Sequence, residues 1–347
     1  PWFLAQGQVL SVSGLEGCMF LRRKLAMFAA VVAVSVISVL ADSQPAGEVV
    51  TLWDHRRMRE VSADLCLAPG ESPTELMVFQ HGGGLYAADY QWLCGFSSQS
   101  TFKNLSVALI HGNNTDNPMD FGPMQADAVF MADALLNQSS GNNSSPLFKR
   151  LDPNLPPVFS GHSMGGATAV LSTAAFPKSS VLVSLAPGAW GPQQQYVLQN
   201  ATAHVRSPAL FIVGDQDCCN EVHLQTLPVF HNISSKLKAL VVIKGVNHCQ
   251  WSSPVKGSCE LSCSNCGDLP RDEQQQLGLE VMRHFFQALD GAVHGWKLFE
   301  DWLASRSAAG MLQYMTPTSM HQQLTTRCPC TKVSSRQILK AEGLVHI

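Results

Sequence analysis

Apolar residues in this chain arrive in short continuous runs separated by polar, glycine-rich breaks. The runs are Leu76-Met77-Val78-Phe79, Val107-Ala108-Leu109-Ile110, Pro157-Val158-Phe159-Ser160, Val181-Leu182-Val183-Ser184-Leu185, Leu210-Phe211-Ile212-Val213 and Leu240-Val241-Val242-Ile243. Runs this short read as strands buried on both faces. Helical stretches alternate with them: one near Met124–Leu136 with Asp127 and Asp133 on its polar side, one from Met164 to about Ala175, and one from about Asp272 to Leu289. The pattern predicts an α/β fold, a mostly parallel central sheet with helices on both faces. In such sheets functional residues gather beyond the carboxyl ends of the strands.

Three of those strand ends carry chemistry. Gly161-His162-Ser163-Met164-Gly165 follows the Val158-Phe159 strand and opens a helix of small residues. A serine on such a strand-turn-helix junction is held with its hydroxyl exposed, and the glycines let strand and helix approach closely. Gly214-Asp215-Gln216-Asp217 follows the Val213 strand, and Gly245-Val246-Asn247-His248 follows the Ile243 strand. A serine hydroxyl needs a base, and the base an orienting acid. The candidate nucleophile is Ser163, the base His248 and the acid Asp217, which lies past the strand end on the loop that must reach the histidine. Asp215 is the competing acid, its other role being to cap the turn. His223, His231 and His284 do not follow strands; His81 and His111 do, but precede the serine. An oxyanion needs donors: the backbone N–H of Met164, and one from His81-Gly82-Gly83-Gly84, where Gly83 is the choice and Gly82 and Gly84 are its neighbours.

Together Gln80-His81-Gly82-Gly83-Gly84, Gly161–Gly166, Gly214–Asp217 and Asn247-His248 resemble the dienelactone hydrolase, chlorophyllase and bacterial polyester hydrolase (cutinase-like) branch of the α/β-hydrolases, over roughly residues 70–290. Asn114–Pro118 resembles a loop that those polyester hydrolases carry after an early strand. Leu185-Ala186-Pro187 followed by Trp190 resembles the stretch that gives them a substrate-packing tryptophan. The resemblance implies ester hydrolysis through an acyl-enzyme, without cofactor or metal. The chain departs from the branch in a cysteine-rich segment after His248 and in its C-terminal stretch.

Composition narrows the setting. The 347 residues are 46% apolar and 14% charged with a formal charge of −3, enough for a large core and without the basic stripe of a nucleic-acid binder. Met19–Lys24 is a cationic start, Leu25–Leu40 an apolar run and Val39-Leu40-Ala41 a small-residue cleavage point. A run of sixteen residues falls short of the roughly 20 that a membrane span needs. The expected organisation is upstream residues and signal peptide over 1–41, one hydrolase domain over 42–295 with a Cys-rich insertion at about 250–271, and a tail over 296–347. Release into the secretory pathway or outside the cell is expected, with a signal anchor as the lesser reading and no stable span after the leader is removed.

Ten cysteines remain beyond the leader, an even number that reads as disulfides in a secreted chain. Cys259, Cys263 and Cys266 lack the paired spacing of a zinc ribbon and are expected to staple the insertion. Cys218 and Cys219 follow the acid and Cys249 follows the base, so Cys249 is expected to pair with Cys218 or Cys219. Seven Asn-x-Ser/Thr sequons, at Asn104, Asn113, Asn137, Asn142, Asn143, Asn200 and Asn232, make surface glycosylation an expectation for a eukaryotic host. Tyr86, Tyr90, Met164, Trp190 and Trp251 are candidates for an apolar acyl pocket. The reading that results is a secreted serine carboxylic-ester hydrolase acting on a small-molecule or polymeric ester. A catalytically silent hydrolase domain used for binding, and a triad peptidase or thioesterase, stand as alternatives.

Overall fold

The computed structural model describes residues 47–95, 105–112, 120–189, 191–254, 259, 263, 267–319 and 324–325. The expected leader, the Asn114–Pro118 loop, Trp190 and Cys266 lie outside the described residues. The strands are β1 (Glu48–Asp54), β2 (Arg59–Cys66), β3 (Glu75–Gln80), β4 (Leu105–His111), β5 (Val158–His162), β6 (Val181–Leu185), β7 (Ala209–Gly214), β8 (Lys238–Ile243) and β9 (Leu312–Met315). They form one sheet in the order β1-β2-β4-β3-β5-β6-β7-β8-β9. β3 to β8 are parallel throughout, whereas β1, β2 and β9 pair antiparallel to their neighbours.

Every residue of β3, β5, β6, β7 and β8 is buried, so both faces of the central sheet are covered. Successive side chains point to opposite faces. Val78, Phe159, Leu182, Phe211 and Leu240 enter one core with Met131 and Leu135 of α1 (Phe121–Gly141) and Val170 of α2 (Met164–Ala175). Met77, Phe79, Val158, Val183, Ile212 and Val241 enter the other. There they meet Met282 and Phe285 of α5 (Arg271–Asp290) and Phe299 and Leu303 of α6 (Ala292–Ala308). Two shorter helices, α3 (Pro192–Thr202) and α4 (Thr226–Asn232), connect β6 to β7 and β7 to β8. This alternation of strand and crossover helix is the α/β-hydrolase fold.

Three features differ from the sequence reading. The β1–β2 hairpin at the sheet edge was not expected, because its outer face is solvent-exposed and its apolar positions are diluted by polar ones. The 296–347 stretch is not a tail throughout: α6 packs on α5, and β9 closes the sheet against β8, with Leu312 and Met315 buried. Trp251 is not a pocket wall. Its side chain is fully buried, stacks on Trp92 at 6.4 Å, and packs so tightly on α5 that a Cβ at Gly278 would lie 2.6 Å from its ring.

Candidate active site

Ser163 occupies the turn between β5 and α2 with φ +57° and ψ −120°. A non-glycine residue held there costs about 1–3 kcal/mol and persists only if its surroundings impose it. They do: its N–H donates to Leu185 O at 2.9 Å, and its C=O accepts from Ala167 N–H at 3.0 Å and Gly188 N–H at 3.1 Å. Glycine is required on either side by proximity. A Cβ on Gly161 would lie 2.3 Å from Gly165 O, and one on Gly165 would lie 2.2 Å from Gln80 O.

Ser163, His248 and Asp217 come together from three strand ends. His248 Nε2 lies 2.9 Å from Ser163 Oγ, and His248 Nδ1 lies 2.8 Å from Asp217 Oδ2. A carboxylate only accepts, so Nδ1 carries the proton and Nε2 presents its lone pair to the serine O–H. The other Asp217 oxygen, Oδ1, accepts the backbone N–H of Cys219 at 3.0 Å and of Asn220 at 2.8 Å, which holds the carboxylate in one orientation. Asn220 in turn donates its side-chain amide to Ala186 O at 2.8 Å, tying the acid loop to the end of β6. Gln274 of α5 clamps the base loop by donating to Asn247 O at 3.0 Å and accepting Asn247 N–H at 3.2 Å. Asp215 is elsewhere. Its Oδ1 accepts Gly245 N–H at 2.7 Å, and its side chain borders a separate polar cavity with Gln216, Lys244 and Asp268.

Met164 opens α2, and Gly83 lies against it: a Cβ on Gly83 would meet Met164 Cε at 3.8 Å. Neither amide has an acceptor among the described residues. Gly82, by contrast, already donates its N–H to Tyr90 Oη at 3.1 Å. Tyr90 is fully buried, so it belongs to the scaffold beneath the site rather than to a substrate pocket. Tyr86 is 56% exposed and borders a cavity of about 370 Å³ that it shares with Asp64 and His111. His111 Nε2 and Asp64 Oδ1 are 2.6 Å apart, so this cavity has a polar wall.

His162, beside the serine, was not singled out from sequence. It is fully buried, its Nδ1 lies 2.7 Å from Tyr90 Oη, and its ring sits 4.6 Å from that of His248. Burial, reinforced by the neighbouring His248, holds its pKa well below the ordinary imidazole value, so it stays neutral. The Tyr90 phenol is pushed up by burial and stays protonated. It is therefore the donor to His162 Nδ1.

The expected Cys249 pairing is corrected. Cys249 bonds to Cys259 and Cys219 to Cys263. The acid loop is thus bonded to Cys263 and the base loop to Cys259 rather than to each other, the two loops already meeting through the Asp217–His248 hydrogen bond. Cys218 is also disulfide-bonded, and Cys66 bonds to Cys94. Ligand atoms of Cys219, His248 and Cys263 lie within 4.8 Å of one another, but both sulfurs sit in a disulfide and lack the thiolate charge that binds metal. Closing a loop across a 44-residue separation is worth about 4 kcal/mol in the chain-entropy model. Replacing Cys219 and Cys263 together by alanine is expected to lower stability by about 2–4 kcal/mol and to reduce activity, because the Cys219 N–H that orients Asp217 is freed. Thermal denaturation and initial rates on the double variant check this.

Strand order, the strained serine turn and the Ser–His–Asp hydrogen-bond chain at the carboxyl edge give the chain an α/β-hydrolase arrangement. A family model described as PET hydrolase-like matches residues 99–262. Among solved structures, the chain is similar to a dienelactone hydrolase from Anabaena variabilis, with 20% identity over 59% of this chain and 88% of that one and a TM-score of 0.45. No curated protein matches it. No helix among the described residues is long and apolar enough to cross a membrane.

Proposed function

We propose that the protein is a secreted serine carboxylic-ester hydrolase that works through an acyl-enzyme. The observation that carries this is the unbroken hydrogen-bond chain from Ser163 Oγ through His248 to Asp217, with Nε2···Oγ at 2.9 Å and Nδ1···Oδ2 at 2.8 Å. His248 Nε2 takes the serine proton as Oγ attacks the ester carbonyl carbon. The oxyanion that forms is received by the N–H groups of Met164 and Gly83, the former at the positive end of α2. His248 then returns the proton to the leaving alkoxide, and a water activated by the same nitrogen releases the acid. Asp217 keeps His248 in the reactive tautomer and stabilises the imidazolium.

Substrate is an ester, small or polymeric, and Tyr86 and Trp190 are the candidate substrate contacts that the sequence offers. Export is supported by the leader-like segment read at residues 19–41 and by the disulfides. Parallel assays on p-nitrophenyl esters of increasing acyl length and on peptide p-nitroanilides test the assignment. Ester turnover without measurable amide cleavage is expected; amide cleavage at comparable rates would contradict it.

A further inference from the structure

The loop proposed to hold the oxyanion contains three consecutive glycines, and Gly84 adopts φ +71°. Left to itself such a loop samples many backbone conformations, whereas an oxyanion donor helps only if it is aimed before the charge develops. Two buried side chains grip the two peptides that flank Gly82. His81 Nδ1 lies 2.8 Å from Gly82 O, and because a carbonyl oxygen only accepts, Nδ1 is the protonated nitrogen. Leu85 N–H reaches the same oxygen at 3.1 Å. On the other side of the residue, Gly82 N–H donates to Tyr90 Oη at 3.1 Å, and Tyr90 O–H donates onward to His162 Nδ1 at 2.7 Å.

A trans peptide is planar, and its C=O and N–H point in opposite directions. The Gly82 carbonyl and the Gly83 N–H belong to one peptide. Holding Gly82 O toward His81 and Leu85 therefore turns the Gly83 N–H the other way, with Gly83 lying against Met164. Tyr90 adds a second anchor one bond earlier and connects the loop to His162, the residue preceding the serine. His81 is 2% exposed, and Tyr90 and His162 are fully buried, so these bonds do not compete with bulk water. Burial lowers the His81 pKa, which keeps the ring neutral.

We propose that His81 and Tyr90 are positioning residues that aim the Gly83 N–H at the developing oxyanion and lock the oxyanion loop to the turn bearing Ser163. This rests on the serine-hydrolase assignment above.

The donor geometry supplies the test. An asparagine amide nitrogen can stand in for Nδ1 of histidine, whereas a glutamine amide reaches the position of Nε2. His81→Asn is expected to keep kcat within about threefold of wild type, and His81→Gln and His81→Ala to lose roughly tenfold to a hundredfold with KM nearly unchanged, a part of the 10²–10³ that deleting a donor outright costs. Tyr90→Phe is expected to lose kcat in the same way. Affinity for an arylboronic acid, which forms a tetrahedral serine adduct, is expected to fall in step with kcat across the series, because the lost contact exists only in the transition state. Melting temperatures are recorded alongside, and if His81→Ala does not fold, the Asn and Gln pair decides.

His81→Gln at wild-type kcat would overturn the proposal. So would Asn falling as far as Gln, or losses that follow KM or melting temperature rather than boronate affinity. An inactive wild-type protein would overturn the hydrolase assignment itself, and this proposal with it; an active wild type that fails the Asn–Gln comparison overturns only the positioning role.

Discussion

Ser163→Ala is expected to lower ester turnover by about 10⁴-fold or more while the protein stays folded. The side chain contributes little to packing, since its hydroxyl contacts His248 rather than the core. Its backbone is held by bonds to Leu185, Ala167 and Gly188 that alanine preserves. What disappears is the atom that attacks. Residual rate would come from water entering a site that still has its donors and its base. A variant retaining a tenth of wild-type activity would mean that another group performs the attack.

Asp217→Asn is expected to cost about 10⁴-fold in kcat, and Asp215→Asn to change it less than about threefold. Both aspartates follow β7, and only their contacts separate them. Asp217 is 2% exposed, with one oxygen on His248 and the other on two backbone N–H groups. An asparagine there presents either an amide that repels the Nδ1 proton or an orientation that breaks the loop bonds. In the first case Nε2 becomes protonated and can no longer accept from the serine. Asp215 accepts Gly245 N–H and so fastens the turn before Asn247, and losing that bond is expected to cost about 1 kcal/mol of stability. Steady-state rates and melting curves on the two variants, compared directly, decide which carboxylate serves the histidine.

The middle of the sheet was legible because a parallel strand buried on both faces has no reason to alternate. Val78, Phe159, Phe211 and Val241 therefore sit in plain apolar runs. The serine turn was legible because close approach leaves glycine as the only choice at 161 and 165. Where a segment's environment is mixed, the chain gave less away. β1 and β9 lie at the sheet edges: most of β1 is exposed despite its apolar residues, and β9 is only four residues long. Trp251 stands among Cys, Gln, Ser and Pro, and nothing local reveals that a glycine at 278, on another element, has made room for its ring. Disulfide partners depend on where loops end in space, which residue spacing does not encode: Cys249 follows the base, yet bonds to Cys259. Tyr90 and His162 are 72 positions apart, and only the fold makes them neighbours.

The most direct measurement traps the acyl-enzyme. The protein is mixed with a p-nitrophenyl ester, quenched in acid within the turnover time, digested, and its peptides weighed. The expected result is one acyl mass increment on the peptide carrying Ser163, absent from Ser163→Ala. Turnover with no increment, or with the increment on any other residue, would contradict the nucleophilic role of Ser163.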